Sequence, residues 1–151
     1  MREYKFRGKN KDIGWVYGQL AYDINGNTYI IQEVELDSSY GLEETILFAT
    51  MWYRVDKETL GQYTGLKDKN EKEIYEGDIL ELNKDGRIFY GTPDGLLAKK
   101  YQLVGFKDGA FMTCRNKHLI DDYDTYLWII SKYSTVAGNI YDNPELLEEG
   151  E

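Results

Sequence analysis

The chain has 151 residues, of which 30% are charged, 15% are aromatic and two are prolines, and its formal net charge is −9. That length fits one compact domain, or two very small ones sharing a core, and the composition is that of a folded chain. A single cysteine, Cys114, excludes an internal disulfide and fits a reducing cytoplasm. No segment approaches the ~20 apolar residues a membrane helix needs, and MREYKFR lacks the apolar stretch of a secretion signal. The expected location is the cytoplasm, with no membrane partner.

Nucleic acid is disfavoured as a partner by net charge, because affinity for phosphates comes largely from Lys and Arg displacing counterions. An acidic protein can instead mimic nucleic acid towards a basic partner. Here the acids are spread along the chain rather than set at phosphate spacing, which favours a solvated acidic surface.

The 14 tyrosines favour strands. Arg2 to Arg7 alternates charged and aromatic residues with period two, which predicts a half-buried strand carrying Tyr4 and Phe6 on one face. Trp15 to Asp23 and Thr28 to Leu36 form a predicted hairpin, because Asn25-Gly26 tolerates positive φ. After a polar break at Asp37 to Gly41, the apolar run Ile46 to Val55 reads as a buried strand. Asp56-Lys57-Glu58-Thr59 reads as one helical turn capped by Asp56.

A polar loop, Gly61 to Glu73, comes next and Ile79 to Leu82 opens a strand. Asn83 to Gly86 is then a turn, Arg87 to Tyr90 a strand, and Gly91-Thr92-Pro93-Asp94-Gly95 a turn. Tyr101 to Phe106 and Ala110 to Cys114 form a second hairpin around Lys107-Asp108-Gly109. Tyr123, Tyr126, Leu127 and Ile130 share a helical face behind Asp121 and Asp122, although the β-branched content of Ile129 and Ile130 leaves a strand open. Thr135 to Tyr141 reads as a strand broken at Gly138. Asn143-Pro144-Glu145 has the residues of a helix start.

Several site templates can be checked against this pattern. Gly61 to Lys67 resembles a phosphate loop, but only three residues separate Gly61 from Gly65 and Leu66 intervenes before Lys67. A strand also follows where a helix is required. Asp68-Lys69-Asn70 opens like a calcium loop, yet Glu73 holds the Gly position and Ile79 the closing Glu position. His118 lies four residues after Cys114, but a Cys–His pair without a third orienting group is ordinarily structural. Zinc wants four ligands of this type. Neighbouring carboxylates such as Glu43-Glu44 and Asp121-Asp122 read as solvated surface. The expectation is no catalytic residue, no metal site and no cofactor.

What remains is a candidate contact loop, Gly61 to Tyr75, with Tyr63, Lys67, Asp68, Lys69 and Tyr75 as its contact residues, since loops on rigid scaffolds often carry binding. The cadence of Glu76-Gly77-Asp78-Ile79-Leu80 and the later Leu103 to Phe111 hairpin resembles a small SH3-like barrel. The predicted fold is therefore mainly β and barrel-like, with an SH3-like sub-barrel and short helices near the C-terminus. One unit, 1–151, is expected, with sub-units 1–60 (β-hairpins), 61–115 (SH3-like strands) and 116–151 (a helix-strand-helix tail).

MREYKFRGKN, WVYGQL, YRVDKETLGQYTGLKDKNEKEIYEGDILEL, GFKDGAFMTC and VAGNIYDNPELLEEG together resemble the YopX family of bacteriophages and prophages. The likeness runs nearly end to end, with Asp85 to Lys100 as a variable surface insertion. It implies a mainly β fold, assembly into a homo-oligomer and no assigned activity. The family reads KDKNGKEIYEGD where this chain has Glu71, which argues against a positive-φ turn at that position. The expected function is a non-enzymatic accessory protein binding a host or phage protein. The alternatives are a modulator of nucleic-acid transactions, by direct binding or acidic mimicry, and an enzyme.

Overall fold

The computed structural model describes residues 1–37, 46–82, 101–114 and 123–148. It is mainly β, all its ladders are antiparallel, and the chain divides into two compact units, Met1–Gln62 and Tyr63–Glu151.

The first unit is built from β1 (Phe6–Asn10), β2 (Gly14–Tyr22), β3 (Thr28–Asp37), β4 (Ile46–Arg54) and the first half of β5 (Asp56–Lys67), in the order β4-β3-β2-β1-β5. Its core is Val16, Ile30 and Val55, with Phe6, Leu20, Tyr53 and Leu60 packed against them. The first strand starts at Phe6 rather than Arg2, because both ladders of β1 begin there, opposite Gly18 and Gln62; Tyr4 is left exposed.

The β2–β3 hairpin forms as the Asn-Gly signal predicts, but through a longer turn than two residues. Gly26 N–H donates to the Asp23 carbonyl at 3.0 Å, Asp23 N–H donates to Asn27 at 3.1 Å, and Gly26 has φ 78°. This is a three-residue loop in which glycine takes the left-handed position.

Two expectations fail in this unit. Asp56 to Thr59 is the opening of β5 and not a helical turn. The β1–β5 register passes from Lys9↔Asp56 to Arg7↔Gly61, so the segment bulges out of the ladder. Asp56 still acts like a cap, its carboxylate accepting the Glu58 N–H at 3.0 Å. The apolar run in β4 is not a buried strand either. Leu47, Phe48, Met51 and Trp52 are exposed, because β4 is an edge strand and no described residue covers these side chains.

In the second unit, the far half of β5 pairs with β6 (Glu73–Tyr75). A five-stranded sheet follows: β7 (Asp78–Leu82), β8 (Tyr101–Lys107), β9 (Ala110–Cys114), β10 (Tyr123–Tyr126) and β11 (Ser134–Asn139), in the order β10-β9-β8-β7-β11. Four strands meander and the fifth returns beside the first, which is the strand order of an SH3-like barrel. No ladder joins β10 to β11 among the described residues, so the sheet stays open. Its core is Ile74, Leu80, Val104, Leu127 and Ile130.

The β8–β9 hairpin turns on Asp108 and Gly109, with φ 51° and 81°, the two left-handed residues of a type I′ turn. The predicted helix over Tyr123 to Ile130 is mostly absent. Tyr123–Tyr126 is a strand, and only Leu127–Ile130 makes an α-turn (α1), followed by a 3₁₀ turn at Ser131–Tyr133. Pairing with β9 outcompetes the weak helical propensity of this β-branched stretch. β11 bulges between Val136 and Gly138, where the sequence places a break. Pro144–Leu147 is a 3₁₀ turn with Pro144 at its start. Asn143 does not cap it; the Asn143 side-chain oxygen instead accepts the Asn139 N–H at 3.3 Å.

The expectations at Glu43-Glu44, Asn83 to Gly86, Arg87 to Tyr90, Gly91 to Gly95, the Asp85 to Lys100 insertion, His118 and Asp121-Asp122 lie outside the described residues, as does most of the Asp37 to Gly41 break.

Candidate functional site

The five contact-loop residues separate into two groups. Tyr63, Asp68 and Tyr75 are buried, while Lys67 and Lys69 are exposed. The Tyr63 and Tyr75 rings face each other across the β5–β6 ladder at 5.5 Å, and the Tyr75 hydroxyl donates to Glu73 at 2.8 Å. Asp68 organises the whole turn. Its Oδ1 accepts the Asn70 N–H at 2.8 Å and the Lys72 N–H at 3.0 Å, and its Oδ2 accepts the Val136 N–H at 2.9 Å. Lys69 N–H adds a bond to the Ser134 carbonyl at 3.0 Å, so the turn is tied to β11 twice.

Glu71 lies in this turn with φ 64°, so the left-handed residue persists even though this chain lacks the glycine. Its N–H donates to the Asp68 carbonyl at 3.0 Å, and its carboxylate lies 3.7 Å from Lys67. The neighbouring Glu76-Gly77-Asp78 turn is equally internal. Asp78 is 1% exposed and its Oδ2 accepts the Tyr75 N–H at 2.8 Å. Gly77, at φ 82°, donates to Val104 and accepts from Ile140. Cys114 is also buried. No cluster of metal-ligating residues occurs among those described.

Two exposed features of the first unit carry more binding chemistry, and neither is visible in a local sequence motif. One is a cleft of about 710 Å³ where three connections meet: the end of β1, the β2–β3 turn and the β4–β5 junction. Arg54 is held there from two sides. Its carbonyl accepts the Asn10 side-chain amide at 2.8 Å, and its guanidinium donates to Asn27 Oδ1 at 2.6 Å. Lys9, Lys11 and Lys57 also line the cleft, against a single carboxylate, Asp56.

The turn beneath Asn27 is fixed by Asp23, which accepts the backbone N–H of Asn25 and Asn27 at 2.9 Å each and the Asn27 side-chain amide at 2.7 Å. Those bonds, the Asn27 side chain first, hold the Asp23 carboxyl below its ordinary pKa. Tyr29 donates its hydroxyl to Asp23 at 3.1 Å; desolvation and that bond raise its pKa.

The other feature is the outer part of the β3–β4 hairpin. Val34 pairs with Ala49 and Leu36 with Leu47. The β3–β4 register shifts between Ile31 and Glu33 and again between Glu33 and Val34, and beyond those shifts Val34, Leu36, Leu47 and Ala49 share one face. On that face Leu36 is 69% and Leu47 63% exposed. The signal lay in the sequence as an apolar run, but a run alone does not say whether anything covers it.

No helix among the described residues is long and apolar enough to cross a membrane. No curated protein matches the chain. Among solved structures it is similar to protein EF1440 from Enterococcus faecalis, with 23% identity over 97% of this chain and 99% of that one and a TM-score of 0.57, a likeness of fold. The YopX protein family matches residues 5–148, nearly the whole length, and the chain belongs to the YopX family.

Proposed function

We propose that the protein is a non-enzymatic binding module of phage or prophage origin that works as a homo-oligomer in the bacterial cytoplasm, and that the β3–β4 hairpin is its assembly arm. The observation that carries this reading is the apolar face of Val34, Leu36 and Leu47, which no described residue buries and beside which Ala49 is half-buried. A two-stranded hairpin is marginal in water without something packed on its apolar face. Among the described residues β4 is also an edge strand, whose outward N–H and C=O groups offer a second copy a ladder. A second copy fits because it brings the same apolar strip and the same open edge, the self-complementary arrangement of a two-fold interface. Assembly leaves the remaining surface for a host or phage protein.

Light scattering coupled to gel filtration tests this. The wild type is expected to run well above its 17.6 kDa chain mass, and Leu36→Lys with Leu47→Lys is expected to run as a folded monomer. A wild type that stays monomeric at ~100 μM would falsify the assembly arm, since stable homodimers form well below that concentration.

A further inference from the structure

The basic cleft of the first unit is unexpected in a chain of net charge −9. Four cationic residues, Lys9, Lys11, Arg54 and Lys57, line it with one carboxylate. That carboxylate, Asp56, has Oδ1 engaged by the Glu58 N–H. Arg54, Lys11 and Lys57 form no ion pair among the described residues; the Asp23 carboxylate meets Arg54 only through Asn27, which bonds to both. A guanidinium has five N–H donors, and the Asn27 bond uses only part of that set. It also fixes the side chain in place, which lowers the entropy lost when a ligand binds.

From this geometry we infer that the cleft binds a phosphate-bearing anion of nucleotide size, with Arg54 as the positioned anchor and Lys11 and Lys57 as flanking point charges. Arg presents paired donors that match a phosphate, and Lys adds charge without strict geometry. The Asn25 side-chain amide supplies a group for a hydroxyl. A volume of about 710 Å³ lies in the range of small-molecule sites, but its polar lining suits an anion rather than an apolar ligand. The ligand is compact because the cleft lies in a chain of net charge −9. A long nucleic-acid strand would run from it onto a surface whose overall charge repels phosphate.

The test is titration of the intact protein with ATP, with inorganic phosphate and with a twelve-residue oligothymidylate, followed by side-chain amide and guanidinium NMR signals and by calorimetry. ATP is expected to move the Asn10, Asn27 and Arg54 signals in a saturable way, with phosphate weaker on the same signals. Lys11→Glu with Lys57→Glu replaces two exposed charges outside the hydrogen-bonded frame. It is expected to weaken ATP at least about tenfold while leaving the unfolding midpoint unchanged. The inference is overturned if none of the three probes shifts those signals, or if the double reversal leaves ATP affinity unchanged. Oligothymidylate binding more tightly than ATP overturns the compact ligand and shows that the cleft belongs to a strand-binding surface.

Discussion

Asp68 Oδ2 accepts the backbone N–H of Val136 at 2.9 Å, across 68 positions of sequence. The same carboxylate accepts two amides of its own turn, so one buried side chain closes a loop and fastens it to the returning strand of the sheet. A carboxylate with several amide donors is strongly satisfied, and removing it leaves those donors short of partners. In this reading the most distinctive stretch of the sequence is structural framework, and the surfaces that meet other molecules are in the first unit.

Asp78 has a matching role one turn later. Asp78→Ala leaves the buried Tyr75 N–H without its carboxylate acceptor and is expected to cost about 1–3 kcal/mol, read from urea unfolding. A loss below about 0.5 kcal/mol would show that Tyr75 finds another acceptor.

Glu71 occupies a left-handed position at φ 64° without being glycine. Strain of about 1–2 kcal/mol is relieved by Glu71→Gly, against a smaller backbone-entropy cost in the unfolded chain. The expected net effect is stabilisation by about 0.5–1 kcal/mol at unchanged denaturant slope, even though the exposed ion pair with Lys67 is lost. A destabilised variant would mean that the ion pair outweighs the strain.

The Asp23 turn sets an acid limit for the hairpin. Its carboxyl pKa is lowered in the folded state, so the unfolded chain binds the proton more readily. The stabilisation is present above the ordinary carboxyl value of about 4 and is lost as pH falls through the lower folded value. The amide signals of Asn25 and Asn27 should titrate together, with a midpoint below that ordinary value, and Asp23→Asn should abolish the transition. A midpoint at or above about 4 contradicts the hydrogen-bond account.

If the hairpin arm assembles, folding and association are linked and the thermal midpoint rises with protein concentration. The Leu36→Lys, Leu47→Lys variant should lose that dependence. A midpoint independent of concentration in both proteins counts against the arm.

Much of the fold is legible in local chemistry. Asn25-Gly26 and Asp108-Gly109 announce their hairpins because glycine permits the left-handed residue each turn needs. Gly138 marks a real bulge for a different reason, since a Cβ there would collide with the Asn143 side chain. What escapes is whatever depends on a distant partner. Tyr123 to Ile130 has helical spacing, but β9 captures its first half. Asp56 has a capping side chain, but pairing with β1 at Asp56 and Gly61 fixes both ends of the segment, which bulges between them. Asn10, Asn27 and Arg54 are far apart in sequence, so the cleft they share appears only when three connections converge.

The decisive measurement compares urea unfolding of Asp68→Ala with that of the Lys67→Ala, Lys69→Ala pair. If the signature turn is framework, Asp68→Ala loses about 3 kcal/mol or more, and the lysine pair stays within about 0.5 kcal/mol of wild type. An Asp68→Ala protein as stable as wild type would contradict that claim and return the turn to the surface as a site of contact.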